Sequence, residues 1–138
     1  MDDINDLMET VTIKIDKNGY IKIPYILLFK PGDSCYIILA ENTIYLYNKE
    51  DAKKVFDIID EIAENNPIPE DGRKFKRLFY AYFVKENTVT KDRKVKIPEF
   101  FIRGYPDILV STVFNKHINL FKNEQDYIDF KKSYQPKI

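Results

Sequence analysis

The chain reads as a mixed α+β domain, mainly β, in which one strand–turn–strand unit is used twice. Three observations predict this. Short stretches of period-two alternation are punctuated by Gly, Asn and Pro. Two longer stretches switch to helical spacing. Residues of the first half recur in the second at a constant offset of 74. The expected architecture is two tandem repeats packed about a pseudo-two-fold axis into a barrel, each repeat followed by a helix, so that the molecule resembles a fused dimer.

The first hairpin is residues 13–24, Ile-Lys-Ile-Asp-Lys-Asn-Gly-Tyr-Ile-Lys-Ile-Pro. Val11, Ile13 and Ile15 alternate with Thr12, Lys14 and Asp16, and the pattern resumes through residues 20–23 after a turn. Asn18-Gly19 suits the positive-φ positions of a tight hairpin. Pro24 ends the strand, and residues 25–29, Tyr-Ile-Leu-Leu-Phe, read as a short helical turn with Pro at its first position. A Lys-Pro-Gly-Asp loop at 30–33 leads into a second strand pair, 34–40 and 43–47, joined across Glu41-Asn42.

From Asn48 the period changes. Asn48 is a candidate N-cap, with Asp51 three residues on. Ala52, Val55, Phe56, Ile59 and Ile62-Ala63 then follow helical spacing up to Asn65-Asn66-Pro67. The opposite face of this helix is acidic (Asp57, Asp60, Glu61, Glu64) and is expected to be solvated or to meet another subunit. Residues 67–72, Pro-Ile-Pro-Glu-Asp-Gly, read as a linker. It separates a first unit at 8–66 from a second at 73–134. Residues 73–83 are basic and then aromatic, and Phe75, Leu78, Phe79 and Tyr82 are spaced as the core face of a helix. Residues 82–90 drift into strand. A second hairpin, turn (99–102), loop (104–107) and strand pair (108–113, 117–121) then repeat the order of the first half, and a helix from Asn123 carries Tyr127, Ile128, Phe130 and Tyr134.

The repeat is residue by residue. Lys17 matches Lys91, Ile21 matches Val95, Lys22-Ile23-Pro24 matches Lys96-Ile97-Pro98, and Ile44, Leu46 and Phe56 match Ile118, Leu120 and Phe130. One offset carried across several loops is not what two unrelated hairpins produce.

Net charge is zero, which argues against a generic nucleic-acid glue, but its distribution is uneven: −7 over residues 1–70, +6 over 71–103 and +1 over 104–138. The positive charge gathers around the second hairpin and the segment leading into it. Cys35 is the only cysteine, so a disulfide or a cysteine zinc cluster within one chain is excluded, and its apolar neighbours mark it as a buried small hydrophobe. The first residues are acidic where a secretory signal is basic, and no apolar run approaches the ~20 residues of a membrane span. A cytoplasmic protein with no membrane partner is expected.

The strand–turn–strand unit ending in Ile-Pro, followed by an apolar turn and another strand pair, resembles the AbrB-type swapped hairpin. Two copies with a helix after each, and a basic-aromatic segment at 73–81 between them, resemble the MraZ family of bacterial transcriptional regulators over residues 8–134. The resemblance implies a doubled SpoVT-AbrB-like fold and a ring-shaped homo-oligomer, an octamer or larger. It also implies a nucleoid-associated protein whose hairpin turns face repeated operator boxes in double-stranded DNA. In that family each hairpin carries Asp-x-x-x-Arg, usually with Gly before the Arg. Here Asp16 and Gly19 match and Tyr20 stands in the Arg place. In the second hairpin Thr90, Arg93 and Lys94 stand for Asp, Gly and Arg. Leu28 and Ile102 occupy the places of a further family Arg.

A DNA reader needs cations for phosphates and a few planar donors for base edges. The hairpins supply Lys17, Asn18, Tyr20, Lys22, Lys91, Arg93, Lys94 and Lys96, with Arg73, Lys74, Lys76 and Arg77 as possible flanking cations. Arg and Lys can bond guanine and Asn adenine in the major groove, while Tyr20 can bond a phosphate or stack but lacks the bidentate fork of Arg. Enzyme chemistry finds little footing. His117 is the sole histidine and sits in a predicted strand, and there is no Gly-rich phosphate loop, nucleophile elbow or His/Cys metal spacing. The expectation is therefore a non-enzymatic regulator with no cofactor and no small-molecule substrate. Two alternatives remain: a swapped-hairpin assembly module that has lost DNA reading, and an AbrB-type antitoxin.

Overall fold

A computed structural model of the chain describes residues 10–23, 28–40, 43–114 and 117–133. The elements in chain order are β1 (Thr10–Lys14), β2 (Tyr20–Lys22), β3 (Ser34–Ala40), β4 (Thr43–Tyr47), α1 (Lys49–Glu64) and α2 (Pro69–Tyr82), then β5 (Val84–Thr88), β6 (Lys94–Lys96), α3 (Glu99–Ile102), β7 (Ile108–Phe114), β8 (His117–Phe121) and α4 (Glu124–Ser133). This is a mixed α/β architecture with a mostly antiparallel sheet and, among the described residues, four helices. The expected helical turn at 25–29 falls largely outside the described residues, as does Tyr134.

Six strands form one sheet in the order β1-β7-β8-β4-β3-β5, and β2 pairs with β6 in a separate two-stranded ribbon. This order maps onto itself when each strand is exchanged with the one 74 residues away, and so does the register. Ile13 lies opposite Leu109 and Asn87 opposite Cys35. Ile44 lies opposite Leu120 and Leu46 opposite Ile118. The units at 8–66 and 73–134 are thus interleaved: β1 pairs with β7 of the second half, and β5 with β3 of the first.

Side-chain alternation sorts the molecule into three layers. On one side of the sheet Ile13, Ile37, Leu46, Leu109 and Leu120 close onto Ile21, Ile23, Val95 and Ile97 of the ribbon in a single buried cluster. Each of those ribbon side chains contributes about 1.5–3 kcal/mol by burial, which holds a ribbon of three-residue strands that would not persist alone. On the other side Tyr36 meets Phe56 of α1, and Phe121 meets Tyr127 and Phe130 of α4. The ribbon and the short helix α3, whose Phe101 joins the same cluster, therefore cover one face of the sheet, and α1 and α4 cover the other.

Helix α1 begins as expected, with Asn48 Oδ1 accepting the Asp51 N–H at 2.8 Å. Ala52, Ile59 and Ala63 are buried, but Ile62 is exposed, because the face it occupies is not covered by the sheet or by α2. Asp60 is not simply solvated: it accepts the Tyr80 hydroxyl at 3.2 Å and pairs with Lys76 at 3.0 Å, both on α2. Burial, then Asp60, pushes the Tyr80 phenol up to about 12.

Two expectations for the middle of the chain are corrected. Residues 69–72 are not linker but the first turn of α2, where Pro at the helix start and Glu70 and Asp71 near the positive end of the dipole favour helix. Gly72 is there because a Cβ would overlap the Ala63 carbonyl of α1, so the two helices can approach only at a glycine. Nor are Phe75, Leu78 and Tyr82 core residues: they are 39%, 41% and 56% exposed. The flank of α2 centred on Gly72, Lys76 and Tyr80 meets α1 instead.

Candidate nucleic-acid interface

Both hairpin turns are built the same way from different residues. In the first, the Asp16 carbonyl accepts the Gly19 N–H at 3.0 Å, and Asp16 N–H donates to the Tyr20 carbonyl at 2.9 Å. Asp16 Oδ1 accepts the N–H groups of Asn18 at 2.8 Å and Tyr20 at 3.0 Å. In the second, Arg93 N–H donates to the Thr90 carbonyl at 3.0 Å, and Thr90 N–H to the Lys94 carbonyl at 2.8 Å. Thr90 Oγ1 accepts the Lys94 N–H at 3.0 Å. Thr90 thus does for the second turn what Asp16 does for the first. Asp16 and Thr90 are turn formers.

The position before the strand requires positive φ in both turns. Gly19 supplies it at 85°, and Arg93 adopts it at 62°, the only non-glycine to do so among the described residues. An Arg held in the left-handed region is strained by about 1–2 kcal/mol.

The turns are brought together by the ribbon. Tyr20 lies opposite Lys96, Ile21 opposite Val95 and Lys22 opposite Lys94. Ile23 N–H donates to the Arg93 carbonyl and Ile97 N–H to the Gly19 carbonyl, both at 2.9 Å, extending the ladder by one pair at each end. From the pair at Gly19 to the pair at Arg93 the ladder is therefore about 14 Å long. Ile21 and Val95 are fully buried, so Tyr20, Lys22, Lys94 and Lys96 share the opposite face of the ribbon. Lys17 and Asn18 stand at one end of the ladder, Lys91 and Arg93 at the other. All eight sequence-predicted residues thus belong to one continuous feature.

Its electrostatics are cationic. Lys22 and Lys94 sit directly across from each other, and among the described residues none of Lys17, Lys22, Lys91, Arg93, Lys94 and Lys96 forms an ion pair with a carboxylate. Asp16 provides partial compensation: the Tyr20 N–H foremost, then the Asn18 N–H and the nearby Lys94 charge, hold its carboxyl below the ordinary 3.8. At the Lys17 end a cleft of about 580 Å³ is lined by Lys17, Asn18, Lys96 and Arg103 together with Asp16, Glu99 and Asp107. Arg103 was missed in the sequence. It stands one residue beyond Ile102, and Ile102 itself packs against the core. Asn87 was missed too; its Nδ2 donates to the Lys96 carbonyl at 2.6 Å and ties β5 to the ribbon.

The flanking cations do not join this surface. Arg73, Lys74, Lys76 and Arg77 lie on α2, in the helix layer on the far side of the sheet. His117 lies against the Tyr47 and Tyr45 rings, with centroids 4.6 and 5.9 Å away. Among the described residues no three His, Cys, Asp or Glu side chains are grouped to hold a metal ion, and no helix is long and apolar enough to cross a membrane. No family model matches the chain, and no curated protein matches it in sequence.

Proposed function

We propose that this chain is a sequence-specific DNA-binding transcriptional regulator of the MraZ type, working in the cytoplasm on the nucleoid. In this reading the two halves are tandem AbrB-like swapped hairpins closed into a pseudo-two-fold barrel, and a ring-shaped homo-oligomer presents several such barrels to repeated operator boxes. The exchange of β1 and β5 between the halves, at one offset and one register, supports the fold part of the reading.

The observation that carries the function is the outer face of the β2–β6 ribbon. Like charges directly across a strand pair are destabilising, yet Lys22 faces Lys94, Lys96 flanks them, and a strained Arg93 stands at the end. A polyanion repays such an arrangement, because it neutralises the cations and releases counterions. A two-stranded ribbon is also of a size that the major groove of B-DNA admits. In this reading Arg93 and Lys94 contact guanine or phosphate, Lys17, Lys22, Lys91 and Lys96 contact phosphates, Asn18 is placed for a base edge, and Tyr20 contacts backbone.

The test is fluorescence anisotropy with a duplex from the region upstream of the gene, titrated across salt concentrations. With six cations engaged, log K should fall with log salt at a slope steeper than about −3. Replacing Arg93 and Lys94 with Ala should weaken binding far more than replacing Lys53 and Lys54 on α1. Equal losses, or no binding at low salt, would sink the reading.

A further inference from the structure

We propose that the exposed aromatic stripe of α2 is a self-association surface on which two copies of this chain pair, α2 antiparallel to α2. Phe75, Leu78 and Tyr82 are 39%, 41% and 56% exposed, and Phe83, just past the helix, is 36% exposed. Their spacing puts the first three on one side of the helix. The rings of Phe75, Phe79 and Phe83 follow each other at centroid distances of 6.1 Å, so the stripe is continuous. It is not the face that α2 turns to α1, which is centred on Gly72, Lys76 and Tyr80.

Size and charge select the occupant. With an aromatic side chain offering roughly 150–250 Å², the exposed parts of these four residues amount to roughly 350 Å², the size of a patch that on a monomer is commonly functional. A stable interface takes about 800 Å² from each partner with an apolar centre, so the stripe is of the right size for that centre. A second copy also matches the ends. Glu70 and Asp71 are exposed in the first turn of α2, and Lys85 lies at its other end, with its Nζ donating to the Ala81 carbonyl at 3.2 Å. An antiparallel pair sets the acidic end of each helix against Lys85 of the other, twice, with the helix dipoles opposed. At about 100° per residue Arg73 projects about 140–180° and Arg77 about 100–160° from Phe75, Leu78 and Tyr82, while Lys74, about 40° from Leu78, is the cation at the edge of the stripe.

The stripe lies in the helix layer, on the other side of the sheet from the β2–β6 ribbon. Pairing through it leaves the ribbon free, and the inference stands whether or not the ribbon binds DNA. It also concerns a face-to-face contact of two copies, distinct from the head-to-tail contacts that close a ring.

Sedimentation equilibrium on the full chain between 1 and 200 µM tests it, with circular dichroism to show that each variant is folded. Leu78→Asp with Tyr82→Asp should halve the mass of the assembly and leave the melting curve cooperative. Asp71→Lys alone should weaken association at least tenfold at low salt, and Asp71→Lys combined with Lys85→Asp should restore it. A wild type that stays monomeric throughout overturns the inference. So does an oligomer whose mass is indifferent to the stripe variants, which would leave a ring through another face intact. Failure of the charge exchange to rescue overturns the antiparallel arrangement. DNA affinity per chain, measured on the same variants at low protein concentration, reports separately on the ribbon.

Discussion

If the ribbon binds DNA as proposed, replacing Arg93 with Gly should make the protein more stable and a worse DNA binder at once. Arg93 occupies the turn position that Gly19 fills in the first hairpin, with φ of 62° against 85°. Relief of the left-handed conformation returns about 1–2 kcal/mol, and the greater freedom of glycine in the unfolded chain takes back about 0.5–1 kcal/mol. The net gain is about 0.5–1 kcal/mol. At about 2.1 cal/mol/K per residue the unfolding entropy of a chain of this length is roughly 290 cal/mol/K, so the melting temperature should rise by about 2–3 °C. Removing one cation from the interface should lower the salt slope by about one and weaken specific binding by about 1–3 kcal/mol, or roughly 5- to 150-fold. Calorimetry and anisotropy on the same sample give both numbers. Arg93→Lys, which keeps charge and strain but loses the fork, should leave stability unchanged and fall between the two in affinity. A fall of several degrees for Arg93→Gly would refute the account of the turn. A rise in stability with affinity and salt slope untouched would remove Arg93 from the interface.

Gly72→Ala should destabilise the protein by about 1–3 kcal/mol through overpacking against the Ala63 carbonyl, although alanine is the better helix former by about 1 kcal/mol; a stabilised variant in a denaturant titration would contradict the close approach of α1 and α2. Cys35 is fully buried, and burial pushes its thiol up to about 12, so a thiol-exchange reagent at pH 8 should modify it only on unfolding; stoichiometric labelling of the native protein within seconds would contradict that burial. Because the Asp16 carboxyl is held below 3.8 in the folded chain, its contribution to stability is present above that pH and lost as pH falls through the lower folded value. The stability advantage of the wild type over Asp16→Ala, followed by thermal melts from pH 6 to pH 2.5, should shrink over the acid end of that range and not above pH 5.

The strands, both hairpin turns and the start of α1 were legible because their signals are local. Alternation, Asn18-Gly19 and the Asn48–Asp51 cap each act within a few residues. What sequence reading missed was decided at a distance. Residues 67–72 carry Pro, acids and Gly, which suit a loop and a helix N-terminus equally, and only the packing of Gly72 on Ala63 resolves them. The apolar spacing of α2 tells which side of the helix is hydrophobic but not whether anything covers it, so Phe75, Leu78 and Tyr82 looked like core and are surface.

The candidate site divides along the same line. That both hairpins carry cations can be read directly, but that Lys22, Lys94, Lys96 and Tyr20 share one face depends on the pairing of β2 with β6, strands that lie far apart in the chain. The constant offset of the repeat was the one sequence signal that reached across that distance. It aligns Arg93 with Gly19, and a residue that must copy the backbone of a glycine is a strained one. The same alignment puts Thr90 on Asp16, and the two prove equivalent as turn acceptors. The differences between the second hairpin and the first are therefore of two kinds. Thr90 for Asp preserves the turn by other means, whereas Arg93 for Gly trades turn stability for an added cation. An anionic partner would repay the second exchange, and under the proposed DNA-binding function that asymmetry makes the second hairpin the stronger candidate for gripping DNA.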